Sequence, residues 1–294
     1  MKNKKKKILV IGGTGFIGFH LLKQTSQLGW GSVSISKNKP KKSKLVKKVK
    51  YLSVNIKNFK DLKNKIKGNF DYIVNLTDVP NKNLNPEIKK LIYFFLNKKI
   101  KKFLQIGSSA EYGNIKKPHS ETLKCRPSSS YGKKKLEITN FLLKRFKQNS
   151  FPVIILRPFQ VYGEKDNRNK ILPYVLNKCL NNKKFDLTKG LQTRDFCYVD
   201  DVVRAIILML KTTNKKVLGK IFNVGTGKSI TIKKLVEIIQ KKTNGGRPVF
   251  GKKALKENEI LHSQAYIAKI KKYINWSPRI SIENGINLLI KNER

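Results

Sequence analysis

Short apolar runs alternate with longer amphipathic stretches through the first half of the chain. Candidate strands are Ile8–Ile11, Ser32–Ser36, Tyr51–Asn55, Tyr72–Asn75, Phe103–Ile106 and Val153–Leu156. Between them, apolar residues recur at helical spacing over Phe16–Leu28, Phe59–Lys67, Pro86–Asn97 and Tyr131–Gln148. Strand and helix in regular alternation predict a parallel sheet with helices on both faces. After Arg157 the rhythm breaks. Turn-rich stretches at 163–170 and 181–194 separate helical patterns at Lys170–Leu180, Val202–Lys211, Ile232–Lys242 and Ser281–Ile290. The pattern therefore predicts a domain over residues 1–160 and a smaller, discontinuous lobe over 161–294, some of whose segments return to the first domain. No internal repeat and no long linker interrupts it.

Composition changes this picture little. The 294 residues are enough for a sizeable core, and 39% are hydrophobic, which excludes wholesale disorder. Cys125, Cys179 and Cys197 are odd in number and share no metal-like spacing, so free thiols and a cytoplasmic setting are expected. No run is long and apolar enough to span a membrane. The start, with Lys2 and Lys4 to Lys7 before an apolar stretch, imitates an export signal. Its apolar core is only Ile8–Ile11 before glycines begin, so a first buried strand explains it better.

Charge is the unusual quantity: 65 Lys+Arg against 18 Asp+Glu, a net +47. A nucleic-acid surface would produce this, and so would biased coding rich in Lys, Asn and Ile. Only nine of the basic residues are Arg, the better reader of base edges and phosphates, and the lysines are spread along the whole chain. Coding bias is the favoured reading, and no specific nucleic-acid or membrane partner is expected. The dense lysines at Lys37–Lys50 read as a solvated loop and helix after the second strand.

Chemistry enters at Gly12-Gly13-Thr14-Gly15-Phe16-Ile17-Gly18, which joins the first strand to the first helix. Glycines there permit the tight turn, let backbone approach a pyrophosphate, and let helix and strand pack closely. This predicts a Rossmann-type doubly wound sheet that binds a dinucleotide. An acid ending the second strand would bind the ribose 2′-hydroxyl of NAD. Here the segment reads Ser34-Ile35-Ser36-Lys37-Asn38-Lys39, a hydroxyl and lysines that suit a 2′-phosphate. The cofactor is NADP or NAD, with NADP slightly favoured. Tyr131 and Lys135 lie one helical turn apart. A tyrosine of ordinary pKa about 10 is a poor base, and a neighbouring ammonium favours its phenolate. Ser108 and Ser109 follow the fifth candidate strand, at the sheet edge where such folds bind ligands, and a serine there can hydrogen-bond a reacting oxygen.

Together with Asp71-Tyr72-Ile73-Val74-Asn75-Leu76, Gly107-Ser108-Ser109-Ala110-Glu111-Tyr112-Gly113, Tyr131-Gly132-Lys133-Lys134-Lys135 and Leu156-Arg157-Pro158-Phe159-Gln160-Val161-Tyr162-Gly163, these residues make a resemblance plain. Arg194-Asp195-Phe196-Cys197-Tyr198-Val199-Asp200-Asp201-Val202, Phe222-Asn223-Val224-Gly225-Thr226-Gly227 and Asn275-Trp276-Ser277-Pro278 extend it over nearly the whole length. The chain resembles the extended short-chain dehydrogenase/reductase superfamily, in its nucleotide-sugar epimerase/dehydratase branch. The resemblance implies that Ser108, Tyr131 and Lys135 are catalytic. It implies dinucleotide contacts from Gly12, Gly15, Phe16, Ile17, Gly18, Ser36, Lys37, Asn55, Ile56 and Leu76, with Tyr131 and with Lys135 on the nicotinamide ribose. Substrate contacts fall on Ser108, Ser109 and Gln160, with Arg194 on the diphosphate and Lys256 where similar enzymes have a second phosphate-binding arginine.

Departures from the pattern narrow the reaction. Ser109 and Ala110 stand where dehydratases carry an acidic pair, which argues against 4,6-dehydration. Asn55 replaces an adenine-contacting aspartate, Gln160 a substrate-contacting asparagine and Tyr266 an aspartate. His20, His119 and His262 occupy no motif position and read as packing or surface residues. The expected activity is reduction at C4 of a 4-keto-6-deoxy nucleoside-diphosphate sugar, with 4-epimerisation as the alternative. A nucleic-acid-binding protein reusing the fold, or a catalytically dead redox sensor, leaves an intact Ser108–Tyr131–Lys135 set unexplained. A homodimer is expected through the apolar blocks at Leu91–Leu96 and at Phe141, Leu142, Leu143 and Phe146.

Overall fold

In the computed structural model, which describes residues 5–55, 58–77 and 86–293, the apolar runs become strands and the amphipathic stretches helices. In chain order these are β1 (Lys7–Ile11), α1 (Phe16–Gln27), β2 (Gly31–Ser36), β3 (Val49–Ser53), α2 (Phe59–Lys65), β4 (Tyr72–Asn75), α3 (Pro86–Leu96), β5 (Lys102–Ile106), α4 (Ser130–Asn149) and β6 (Val153–Pro158). Next come β7 (Gln160–Tyr162), α5 (Ile171–Leu180), β8 (Lys184–Asp186), β9 (Thr193–Arg194), β10 (Phe196–Tyr198) and α6 (Val199–Lys211). The chain closes with β11 (Lys220–Val224), β12 (Ile230–Thr231), α7 (Ile232–Thr243), β13 (Arg247–Val249), α8 (Ala268–Ile274) and α9 (Ile282–Glu293).

Seven strands form one sheet in the order β11-β6-β5-β4-β1-β2-β3. Pairings β1·β2, β2·β3, β1·β4, β4·β5 and β5·β6 are parallel. Chain order reverses between β1 and β4, the switch point of a doubly wound, Rossmann-type sheet. The expected fold class is thus observed, with differences at the margins. The third strand begins two residues earlier than expected, at Val49, inside the lysine-rich stretch read as loop and helix. Only a single 3₁₀ turn, Lys42–Lys44, precedes it. The seventh strand, β11, has no counterpart in the six expected from periodicity.

The chain divides into two compact units. One is drawn from the described residues of Met1–Ser108, Lys133–Arg157 and Val203–Phe222, the other from those of Ser109–Gly132, Pro158–Val202 and Asn223–Arg294. In the first, Ile8 to Ile11 are all wholly buried, as continuous apolar strands covered on both faces must be. Leu9, Ile11, Ile73, Phe103, Val153 and Ile155 pack on one face against Leu62, Leu91, Ile92, Phe95, Ile138 and Leu142. Four hydrogen bonds to backbone carbonyls, three of them from one lysine, tie later segments of the chain into this unit. The ammonium of Lys102, at the start of β5, donates to the carbonyls of Met209, Leu210 and Thr212 and so caps the C-terminus of α6. Burial, with Lys6 nearby, pushes that lysine down to about 8. Gly219 N donates to Val153 O at the turn into β11.

The second unit is built from short two-stranded pairings, β10 with β7, β12 with β9 and β13 with β8. Buried side-chain bonds supplement them. Trp276, wholly buried, donates its indole N–H to Asp201 O at 3.0 Å. Asp201 in turn accepts from the amides of Arg279 and Ile280.

Candidate active site

The glycine turn is set by sterics. Gly12 has φ +83, a conformation that strains any residue with a Cβ. A Cβ on Gly18 would lie 2.6 Å from both Gly12 O and Gly13 Cα, so α1 can start this close to β1 only with glycine there. The turn is braced from β2: Thr14 N donates to Ser36 Oγ, whose proton goes to Ile35 O at 2.8 Å. Gly12 N donates to Ile35 O, and Leu76 N donates to Ile11 O. Gly12, Ser36 and Leu76 are therefore gathered at the C-terminal ends of β1, β2 and β4. Val54 N bonds Ser36 O, which brings exposed Asn55 to the same edge. Lys37 is exposed beside it. Ile56 lies outside the described residues.

This edge fits a dinucleotide. Helix α1 begins at Phe16 and Ile17 with no side-chain cap and no acid in its first turn, and the positive end of its dipole favours an anion there. The cradle is lined by glycine where a side chain would fill it.

Lys135, 2% exposed, donates from Nζ to Ile106 O at 3.2 Å and Thr77 O at 3.3 Å. Those carbonyls follow β4 and end β5. A short chain of side chains fixes Thr77: Gln105 Oε1 accepts from Asn75 Nδ2, and Asn75 Oδ1 accepts from both the amide and the hydroxyl of Thr77. Sequence reasoning gave Thr77 and Gln105 no role and used Asn75 only as a motif letter. The available signal was Asn75 and Gln105, polar residues inside the apolar runs read as buried strands. Ser108 follows β5 and is half-buried.

The start of α4 belongs to the second unit. Tyr131, 42% exposed, stands on the first turn of the helix that carries Lys135. Gly132 beside it is buried, and a Cβ there would lie 2.3 Å from Ala110 O. That approach places the backbone of Tyr131 next to the turn at Ser109–Glu111. Tyr112 locks the turn by donating to Asn223 Oδ1 at 2.7 Å. His119 is buried between the rings of Tyr112 and Phe159, as a packing residue. His20 is buried in α1 against Phe16 and Phe19.

Arg194, half-buried on β9, pairs with Glu259 and donates from Nη1 to Thr193 O at 2.9 Å. Burial pushes its guanidinium down from the ordinary value, and the charge of Glu259 opposes that. Glu259 N bonds Lys256 O, so exposed Lys256 shares a turn with the partner of Arg194. Gln160, on β7, donates its backbone N–H to Asp195 O, which places its main chain beside Arg194 in the same unit. Asp195 is wholly buried. Burial pushes its carboxyl above the usual carboxylate range, against four hydrogen bonds that pull it down. Sequence reasoning missed Glu259 and gave Asp195 no function. With only 18 acids against 65 bases, each buried or half-buried acid was the signal.

A hollow of about 710 Å³ in the second unit is lined by Leu191, Gln192, Leu255, Leu261 and His262, with Lys189, Lys252 and Lys253 also in its lining. Among the described residues no helix is long and apolar enough to cross a membrane, and no metal-binding cluster occurs.

The model of a family described as "NAD dependent epimerase/dehydratase family" matches residues 8–225. Over its length the chain is similar to the CDP-abequose synthase of Salmonella muenchen, at 28% identity, covering 99% of each chain. It is 29% identical to the dTDP-4-dehydro-6-deoxyglucose reductase of Escherichia coli, covering 100% of this chain and 99% of the other. Among solved structures, UDP-glucuronic acid 4-epimerase from Bacillus cereus, in complex with UDP-glucuronic acid and NAD, aligns with a TM-score of 0.86 at 25% identity. That alignment covers 98% of this chain and 100% of the epimerase.

Proposed function

The chain belongs to the NAD dependent epimerase/dehydratase family and is an enzyme that works with a nicotinamide dinucleotide; we propose that it reduces C4 of a 4-keto-6-deoxy nucleoside-diphosphate sugar. The observation that carries this reading is whole-length similarity to a CDP-abequose synthase and a dTDP-4-dehydro-6-deoxyglucose reductase, joined to the buried Lys135 one turn from Tyr131. In this reading residues 1–160 hold the dinucleotide and 161–294 mainly the sugar nucleotide. Gly12, Gly15, Phe16, Ile17, Gly18, Ser36, Lys37, Asn55, Ile56 and Leu76 line the cofactor. When bound, the reduced nicotinamide supplies hydride to C4. Tyr131 gives its phenolic proton to the C4 oxygen, and the Lys135 ammonium stabilises the phenolate left behind. Ser108 and Ser109 hold that oxygen, Gln160 contacts the sugar, and Arg194 and Lys256 take the diphosphate. Ser36 has committed its proton to Ile35 O, so preference for NADP falls to Lys37 and to the absence of an acid there.

Epimerisation at C4 is the second reading, favoured by the likeness to the Bacillus cereus epimerase. One experiment separates the two. The purified protein is incubated with NADPH or NADH and 4-keto sugar nucleotides, and separately with NAD and UDP-hexoses. Stoichiometric oxidation of the reduced dinucleotide is expected in the first set. Interconversion of UDP-hexoses without net cofactor turnover would replace this reading with the second. Tyr131→Phe should lower turnover ~10²–10⁴-fold while the dinucleotide still binds.

A homodimer through α3 and α4 is part of the proposal. Leu91, Ile92, Phe95 and Leu142 are spent on the subunit's own core. That leaves Tyr93, 45% exposed, stacked edge-on against Phe141 with the Arg145 guanidinium over both rings. Apolar association between cationic subunits should tighten with salt. A monomer at every salt concentration in sedimentation would remove it.

A further inference from the structure

We propose that Asp195 is the positioning residue for Arg194, a buried carboxylate that aligns the segments from which the diphosphate site is made. This rests on the reading in which Arg194 holds the substrate diphosphate.

Three chain segments surround Arg194. Its own strand, β9, pairs antiparallel with β12, Ile230 opposite Arg194. Thr193 N donates to Leu261 O at 2.8 Å, which brings in the segment that carries Glu259. Neither contact is strong: β9 and β12 are two residues each, and 251–265 holds no helix and no strand longer than a bridge. Asp195 joins all three. Its Oδ1 accepts from Thr226 N at 2.7 Å and Thr226 Oγ1 at 2.6 Å, on the approach to β12. Its Oδ2 accepts from Gly227 N at 2.9 Å and Ala265 N at 3.1 Å, the latter just beyond Glu259. The approach is tight enough that a Cβ on Gly225 would lie 2.8 Å from Oδ2.

The chemistry fits an ionised carboxylate and no other side chain of this size. Four donors converge on two oxygens, each oxygen takes two, and the group is wholly buried. An amide would turn its own N–H₂ towards two of those donors in either orientation. With its oxygens saturated inside the protein, Asp195 is not expected to touch substrate. It acts through Arg194, whose fork must be held in place if it is to accept a diphosphate bidentately.

The test compares binding of a nucleoside diphosphate with binding of its nucleoside, using CDP against cytidine, UDP against uridine and dTDP against thymidine. Wild type should prefer the diphosphate, and Arg194→Ala should reduce that preference sharply, leaving only what Lys256 contributes. Asp195→Asn should weaken diphosphate binding about tenfold or more, leave nucleoside binding within about twofold, and leave NAD binding unchanged. Thr226→Val, which loses one of the four donors, should show a smaller loss of the same kind, and Thr226→Ser should restore it. These milder variants carry the comparison if Asp195→Asn does not fold. Equal weakening of diphosphate and nucleoside, or no change in either, overturns the positioning role while Arg194 keeps its own. If Arg194→Ala also leaves the preference intact, the diphosphate reading of Arg194 itself is wrong.

Discussion

The two units hold the charges proposed to act in the reaction by opposite means. In the first, the Lys135 ammonium is held by backbone carbonyls at the ends of parallel strands. In the second, Arg194 is held by the carboxylate of Glu259, and the chain around it by the carboxylate of Asp195. Every residue supplies a carbonyl, so a site of the first kind needs only the correct strands and helix. A site of the second kind needs particular acids at particular places, 31 to 70 residues from the groups they bind. The first is robust to substitution except where backbone itself must pass. The second can be undone by removing one carboxylate.

The sharpest way to break this contrast is therefore a glycine in the first unit. Gly18→Ala puts a methyl 2.6 Å from backbone atoms of both Gly12 and Gly13, and none of the nearest atoms belongs to a flexible side chain that could yield. The variant should lose ~1–3 kcal/mol of stability. Its affinity for NAD or NADP should fall about tenfold or more. Binding of a nucleoside diphosphate, measured in the same calorimetric series, should not change. Equal losses for both ligands would show that the units are not separable in this way.

A smaller effect sharpens the second unit's dependence on single side chains. Burial holds His119 neutral, pushing it below the ordinary histidine value of 6.5, and its Nδ1 has no hydrogen-bond partner. The unfolded chain takes up a proton as pH falls through 6.5, and the folded chain does not until lower pH. The stabilisation is thus complete above 6.5 and is lost as pH drops below it, by at most ~1.4 kcal/mol per pH unit. Unfolding midpoints between pH 8 and pH 5 should decline over that range, and His119→Gln should flatten the decline. An unchanged slope in the variant would assign the decline to other groups.

The same contrast explains what could be read from the sequence. β1, β2, β4, β5 and β6, the helices between them, the glycine turn and the Tyr131–Lys135 spacing all follow from local pattern, and the fold class with them. Strand β11 was hidden because Lys220–Val224 is five residues with no flanking alternation, and its place at the sheet edge is decided by contacts with distant β6. Glu259 and Asp195 were hidden for a related reason. Nothing near either residue in the chain shows what it binds. Tyr131 and Lys135 could be paired by a helical repeat; Arg194 and Glu259, 65 residues apart in unpatterned chain, could not.

Lys102 gives the making of this molecule an order in time. Its three carbonyl partners lie 107 to 110 residues further along the chain, and the strand that closes the sheet beside β6 is not complete until Val224. A ribosome adding about 5–20 residues per second exposes β6 several seconds before it delivers β11. Through that interval the growing chain carries an open sheet edge of six buried, mostly aliphatic residues, which can pair with the same edge on another nascent chain. Yield in a foreign host should thus depend on how quickly codons 159 to 224 are read, and on chaperones that cover an edge while they are.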